Sequence, residues 1–452
     1  MNIIIAGDGK VGATLVRQLS AEGHDLTLID LNKRVLEATA EQHDVLALQG
    51  NCASMSVLQE AGVKDADLLI AVTDADEVNL LCCMTAHGLN NRLHTIARIR
   101  NPEYIRQVHQ MRSLYNLSMT VNPENQAAKE IERLLKFPGF LRRDTFAKGR
   151  AEIVELRIDE KSKLRDLSLA QMYRSIKCRV LVCTVVRNGT AITPGGNFVL
   201  KEGDRIFVTA PTSNLAELLK NLGIMTRRVR SVIIGGGGKV SFYLAMVLQR
   251  DGIRVRILER DPQRCRVLAE SLPEAEIIHA DCTDQADLER HGLLTCDAYL
   301  SMTGTDEINM ISSLYATSRN VSQVITKLGR PANTLLAGDL SIGSVVCPRE
   351  LCSNQIVRYV RAMENQTGAA VSVHAIADGQ AEAIEFLADE TTRNCDIPLK
   401  SLKLRPGVLL ASIVRGGTVE IPGGDSVIRP GDSVVVVTTA RGTIDTLNDI
   451  FA

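Results

Sequence analysis

MNIIIAGDGKVG (1–12) and RSVIIGGGGKVS (230–241) are the stretches on which the reading of this 452-residue chain turns. Each runs from β-branched residues through a Gly-rich turn into helical spacing, and Lys10-Val11 falls on Lys239-Val240 at an offset of 229 (239 minus 10). The next strands keep that offset: Leu28-Ile29-Asp30 matches Ile257-Leu258-Glu259. AVTDADEVNLL (71–81) matches SMTGTDEINMI (301–311), with Thr73/Thr303, Asp76/Asp306, Glu77/Glu307 and Asn79/Asn309 identical. A second kind of unit also repeats, since PGGNFVLKEGDRIFVT (194–209) and PGGDSVIRPGDSVVVV (422–437) share 7 of 16 positions. The order is A-B-A′-B′, a tandem duplication of a unit of about 225 residues.

Composition narrows the class. Hydrophobic residues make up 45% and charged residues 23%, which suits several packed domains and excludes a disordered or collagen-like chain. Lys plus Arg number 52 against 53 Asp plus Glu, so the basic footprint of a nucleic-acid binder is missing; no Trp and 3% aromatics argue against base-stacking platforms. No apolar run approaches the ~18 to 20 residues of a membrane span, and the first residues carry no basic leader, so a soluble, unexported protein is expected. Eleven cysteines without a Cys-x-x-Cys read as reduced, mostly buried thiols.

Unit A alternates strands (Ile3 to Ala6, Leu26 to Asp30, Val45 to Leu48, Leu68 to Thr73, Thr95 to Arg98) with helices, the pattern of βαβ crossovers and a doubly wound parallel sheet. Unit B has short strands (Glu152 to Ile158, Arg179 to Val186, Arg205 to Thr209) joined by Asn188-Gly189 and Gly203-Asp204 turns, a small β-rich α+β domain. The expected fold is therefore α/β: two Rossmann-like nucleotide-binding domains (1–140 and 229–364), each followed by a small domain (141–224 and 365–452). Asn221 to Arg230 reads as the linker between halves. Helices from Pro123 and Pro348 read as crossover or packing helices and as the candidate contacts for assembly between copies.

Gly7-Asp8-Gly9-Lys10-Val11-Gly12 lies where a strand meets a helix, the setting in which glycines let backbone approach a pyrophosphate at the positive helix N-terminus. Asp30 ends the second strand 18 residues after Gly12 (30 minus 12), placed to accept both adenosine ribose hydroxyls and to repel a 2′-phosphate, so NAD is favoured over NADP. In the second half Gly236, Gly238 and Ser241 stand for the three glycines and Glu259 for Asp30, which leaves a structural copy as the alternative to a working site. Asp74 follows the fourth strand and becomes Gly304; Arg98 ends the fifth and becomes Lys327, as a phosphate donor or a surface ion-pair partner. Asn51-Cys52 and Asp281-Cys282 close the third strands, and Thr73 and Thr303 the fourth. Asp8 is unfavourable beside phosphate unless it points to solvent or Lys10 neutralises it.

The eight histidines form no zinc-ligand spacing, and no nucleophile elbow or P-loop occurs. His94 or His109 as a dehydrogenase acid/base would make the chain an NAD-dependent oxidoreductase with a degenerate second copy, but no substrate domain accompanies it. A redox sensor built on Cys52 or Cys282 requires a depressed thiol pKa.

The A-B-A′-B′ order, GDGKVG, the strand-ending Asp30 and the paired PGG…GD signature resemble the TrkA-type peripheral subunits of bacterial Trk potassium uptake systems, over essentially the whole chain. The resemblance implies tandem regulator-of-potassium-conductance domains, each with a TrkA C-terminal companion, in a non-enzymatic ring, a tetramer of two-unit chains. Such a ring binds NAD(H) and ATP or ADP and gates a membrane potassium-translocating subunit from the cytoplasmic face of the inner membrane. It also implies nucleotide contacts at Gly7, Gly9, Gly12, Asp30, Asp74 and Arg98, and at Gly236, Gly238, Glu259 and Lys327.

Overall fold

The computed structural model describes residues 1–110, 115–136, 140–160, 162–176, 179–222, 229–330, 333, 340–364, 370–439, 444 and 446–452. Most of the linker expected at Asn221 to Arg230 lies outside them. Contacts divide the chain into two compact units that do not coincide with its sequence halves. One holds Met1–Ala128, Gly329–Pro331 and Cys347–Tyr359; the other holds Lys129–Leu328, Ala332–Val346 and Val360–Ala452.

The first unit is built on six parallel strands: β1 (Asn2–Ala6), β2 (Asp25–Asp30), β3 (Leu46–Gln49), β4 (Leu68–Ala71), β5 (His94–Arg98) and β6 (Met119–Val121). Their order is β3-β2-β1-β4-β5-β6. The central strands read NIIIA and LLIA and are buried on both faces, as parallel strands under two layers of helices must be. The order in which strands are added reverses between the parallel β1 and β4, so a cleft opens outside their carboxyl ends. The helix Lys10–Ala21 buries Val11, Leu15, Val16 and Leu19 at helical spacing against the sheet. The first turns of the helix Pro348–Glu364 belong to this unit, where Gln18 Nε2 donates to Asn354 Oδ1 at 3.2 Å and His94 Nδ1 lies 3.0 Å from Tyr359 Oη.

The second unit repeats the sheet as β14-β13-β12-β15-β16-β17, with β12 (Ser231–Gly235), β13 (Arg254–Glu259), β14 (Glu276–His279), β15 (Ala298–Ser301), β16 (Gln323–Lys327) and β17 (Ser344–Val346). The last turns of the helix Pro123–Lys136 pack here: Gln323 Nε2 donates to Leu134 O at 2.7 Å, and Lys136 Nζ pairs with Asp251 at 3.2 Å. The expectation that the helices from Pro123 and Pro348 pack against the domains holds within the chain. Their apolar residues, Ile131, Leu134 and Leu135 in one and Cys352, Ile356 and Val357 in the other, are buried within the chain.

Both small domains are five-stranded antiparallel sheets and lie in this unit. Strands β7 (Arg142–Phe146), β8 (Ala151–Arg157), β9 (Leu181–Arg187), β10 (Thr190–Ile192) and β11 (Arg205–Pro211) run β10-β9-β11-β8-β7, and β18 (Ala370–Ile376), β19 (Ala381–Leu387), β20 (Val408–Arg415), β21 (Thr418–Glu420) and β22 (Ser433–Thr438) repeat the order as β21-β20-β22-β19-β18. Asn188 and Gly189, with φ of 50° and 72°, make the tight hairpin that Asn-Gly promises. The two sheets share one core, in which Phe146, Ile153, Cys183 and Phe207 meet Ile376, Ala383, Val435 and Val437.

Asp144 and His374 hold matching positions, each two residues before the core residues Phe146 and Ile376, and they meet with Nδ1 and Oδ1 3.0 Å apart. Burial alone would raise the Asp144 pKa, but Arg142 and His374 outweigh it and hold the carboxyl at about 2 against an ordinary 3.8. A carboxyl with a lowered folded pKa stabilises fully above its unfolded value and loses that contribution as pH falls through the folded one. Asp144→Asn is therefore expected to cost about 2 to 4 kcal/mol at neutral pH. In urea unfolding, the gap to wild type should close as pH falls from 3.8 toward 2.

Candidate functional site

Glycine decides the shape of the first cleft. Gly7 has φ of 103°, and a Cβ there would lie 2.8 Å from Thr73 N; a Cβ on Gly12 would lie 2.0 Å from Gly7 O. Gly9 has nothing within 4 Å and faces open space. It caps the helix Lys10–Ala21 without a side-chain hydrogen bond, and the first turn carries no acid, so the helix presents unmet N–H groups and its positive end to the cleft. Asp30 closes the rim: its Oδ2 accepts from Asp8 N at 2.7 Å and its Oδ1 from Asn32 N at 2.8 Å.

Asp8 points neither to solvent nor to Lys10, correcting the sequence expectation. The turn directs its side chain, 3% exposed, onto the helix Lys33–Ala40, where Thr39 Oγ1 donates to Oδ2 at 2.7 Å while Oδ1 has no hydrogen-bond partner. Burial raises its pKa, helped by the Asp30 charge and opposed by the Thr39 hydrogen bond.

Across the cleft, Thr73 N donates to Asn79 Oδ1 at 2.9 Å and Asn79 Nδ2 donates to Arg98 O at 2.9 Å, tying the ends of β4 and β5 together. Asp76 accepts from the backbone of Arg100 and Asn101, each at 2.7 Å. In the sequence Asn79 and Asp76 stand out only as identities between the halves, and that identity is the available signal for their role. Arg98 is an ion-pair partner: its side chain, 13% exposed, lies 3.4 Å from Glu124 and 3.7 Å from the exposed Asp74. Asn51 Oδ1 accepts from Ala53 N at 3.0 Å. Cys52 is buried, and a hydrogen bond from Cys82 lowers its thiol pKa.

The second cleft repeats this geometry with different side chains. Gly236 takes φ of 97°. Ser241, fully buried, donates its hydroxyl to Gly236 O at 2.5 Å, so the departure at the third glycine is absorbed by a hydrogen bond. Gly238 again caps its helix, Lys239–Arg250, without a side-chain bond, leaving the N–H groups near Lys239 and Val240 at the cleft. Glu259 Oε2 accepts from Gly237 N at 2.7 Å and its Oε1 from Asp261 N at 2.9 Å. Asn309 bridges Thr303 N, at 2.9 Å, to Lys327 O, at 2.8 Å, and Lys327 Nζ donates to Met302 O at 3.1 Å. Sequence reasoning missed Arg264, whose Nε donates to Gly237 O at 2.7 Å. Asp281 accepts from Thr283, which lowers its pKa, and burial pushes the Cys282 thiol up to about 11, against a reactive thiolate there. Gly304 has nothing within 4 Å.

Of the candidate acid/bases, His94 opens β5 at the edge of the sheet opposite the cleft, and the His109 side chain lies outside the described residues. Among the described residues no group of three or more His, Cys, Asp or Glu could hold a metal ion. No helix there is long and apolar enough to cross a membrane.

The TrkA-N domain family matches residues 3–118 and 232–348, and the TrkA-C domain family matches 153–223 and 383–452. The chain belongs to the TrkA family. It is 31% identical to the Trk system potassium uptake protein TrkA of Haemophilus influenzae, over 100% of this chain and 98% of that one. The TrkA-N and TrkA-C pairs also follow the fold of the GsuK RCK domain (TM-score 0.62, 18% identity, 97% of this chain and 92% of that one). The GsuK channel bound to NAD gives a TM-score of 0.60 at 17% identity, over 97% and 77%.

Proposed function

We propose that this TrkA family member is the nucleotide-sensing regulatory subunit of a Trk-type potassium uptake system, held at the cytoplasmic face of the inner membrane by its potassium-translocating partner. The observation that carries the reading is made twice. In each TrkA-N domain a strand-ending carboxylate, Asp30 or Glu259, is held by the backbone of a Gly-rich turn beside an uncapped helix N-terminus. That donor set fits an adenine nucleotide, with N–H groups for phosphate and a carboxylate for ribose hydroxyls. Gly7, Gly9, Gly12 and Asp30 form the first cradle, with Lys10, Val11, Asn51, Cys52, Thr73, Asp74 and Arg98 around it. Gly236, Gly238 and Glu259 form the second, with Lys239, Val240, Asp281, Cys282, Thr303 and Lys327. The relatives' names supply potassium uptake, and the NAD-bound GsuK channel makes NAD(H) the first ligand to try, with ATP and ADP beside it.

The chain acts by binding rather than by turnover. A nucleotide shifts a gating equilibrium only by its differential affinity for the two states, about 1 to 3 kcal/mol per site, so several sites acting together sharpen the response. Leu81 and Met84 on the helix Asp76–Leu89 are 53% and 37% exposed, and their counterparts Ile311 and Leu314 on the helix Asp306–Ser318 are 68% and 37% exposed. These matched apolar faces are our candidates for joining copies into a ring of four chains. Leu81→Asp with Ile311→Asp is expected to shift the mass measured by light scattering from tetramer to smaller species; an unchanged tetramer refutes these faces. The functional reading is tested by co-purification with the Trk membrane subunit and by restored uptake in a strain lacking this chain.

A further inference from the structure

We infer that the two clefts sort nucleotides by charge: the second takes ATP, with its fully charged triphosphate chain, in preference to the dinucleotide NAD(H) that suits the first. This rests on the nucleotide-binding reading above and extends it to ligand choice.

The clefts share one backbone scaffold and differ in the charges mounted on it. Where the first has Asp8, Leu31, Val35 and Asp74, the second has Gly237, Arg260, Arg264 and Gly304. At the turn itself a carboxylate is gone (Asp8 against Gly237) and a guanidinium is gained (Val35 against Arg264), a difference of two charges, while on the rim Arg260 and Gly304 in place of Leu31 and Asp74 are offset by Asp261, Pro262, Gln263 and Asp281 in place of Asn32, Lys33, Arg34 and Asn51. Both changes in the turn are built in. Asp8 is locked beneath the first turn by Thr39, and a side chain at the matching Gly237 would displace its neighbours, since a Cβ there would lie 2.4 Å from Leu268 Cδ1 and 2.9 Å from Glu259 Oε2. In place of that carboxylate, Arg264 is tied to the turn by its Nε bond to Gly237 O, and among the described residues its terminal nitrogens bond nothing else. In the first cleft, by contrast, the guanidinium of Arg98 already faces Glu124 and Asp74.

Charges held at the turn interact through less water than surface charges do, so a carboxylate under one turn and a guanidinium on the other separate ligands by their own charge. A carboxylate under the first turn disfavours the most anionic ligand, and NAD(H), with its diphosphate, suffers least. Arg264 supplies donors to the triphosphate nucleotide in the second.

The test uses the full chain with one cleft silenced at a time, Glu259→Ala to report the first and Asp30→Ala to report the second, titrated calorimetrically with ATP and with NADH. The ratio of ATP to NADH affinity should be about tenfold or more higher in the second cleft, and added salt should shrink it. Within the Asp30→Ala background, Arg264→Gln should weaken ATP about tenfold and NADH by less than about twofold, with Arg264→Lys retaining most ATP affinity. In the Glu259→Ala background, Asp8→Asn should raise ATP affinity. Equal ratios in the two clefts, or an Arg264→Gln that weakens both ligands alike in a chain with unchanged melting, overturn the inference while leaving nucleotide binding intact. Failure of ATP and NADH to bind either cleft overturns the functional reading itself, and this inference with it.

Discussion

Asp30→Ala is expected to lower nucleotide affinity in the first cleft about a hundredfold and to leave the second within about twofold, with Glu259→Ala doing the reverse. The magnitude follows from what the carboxylates offer. Each can accept two ribose hydroxyls, and hydrogen bonds to a charged acceptor contribute roughly 1.5 to 3 kcal/mol each. Each also holds its own turn, since Asp30 accepts from Asp8 N and Asn32 N and Glu259 from Gly237 N and Asp261 N. Alanine removes both the ligand's acceptor and the brace that keeps the turn in place. Asp30→Asn, which keeps one oxygen and one negative charge fewer, should fall between wild type and Ala. Calorimetry with NADH checks all three variants, and equal losses in both clefts from a single substitution would show that the sites are not separate.

The second large effect separates a structural glycine from a ligand-facing one in the same motif. Gly12→Ala places a methyl 2.0 Å from Gly7 O, which no side-chain rotation relieves because both atoms belong to the backbone frame. The helix Lys10–Ala21 must move off β1, at a cost of about 3 kcal/mol or more, and the first cleft loses its helix terminus with it. Melting temperature and first-cleft binding should fall together. Gly9→Ala meets nothing within 4 Å and should leave melting unchanged while reducing binding, because its methyl occupies the space a phosphate must enter. Parallel melting and binding curves for the two variants check the contrast. Similar melting losses for both would mean that Gly9 also serves the fold.

Much of this was legible in the sequence because the duplication repeats every decisive feature. The Gly-rich turns, the acids at Asp30 and Glu259 and the Asn188-Gly189 hairpin are local signals, each set by backbone conformations that few residues adopt. The βαβ alternation points to a doubly wound parallel sheet, while its strand order comes from the structure. What stayed hidden depends on long-range packing. Arg264 lies 27 residues after Gly237 (264 minus 237) and reaches it only once β13 and the helix Pro262–Ser271 are in place. Asp8 looked like a phosphate-facing acid because nothing local shows that Thr39, 31 residues on, waits beneath the turn. The strands β6 and β10, three residues each, carry too few residues for a periodicity to register. The helices from Pro123 and Pro348 have an apolar face that sequence can detect, but not which domain covers it. The small domains likewise show alternating strands, while their union in one core, with Asp144 against His374, is a property of the folded chain.

Potassium flux through the Trk membrane subunit, reconstituted in vesicles with this chain and measured with and without nucleotide, tests the central claim most directly. The account requires that nucleotide change the flux through the wild-type complex and that Asp30→Ala combined with Glu259→Ala abolish the change while the complex stays assembled. Flux that responds to nucleotide equally in wild type and the double variant would contradict it.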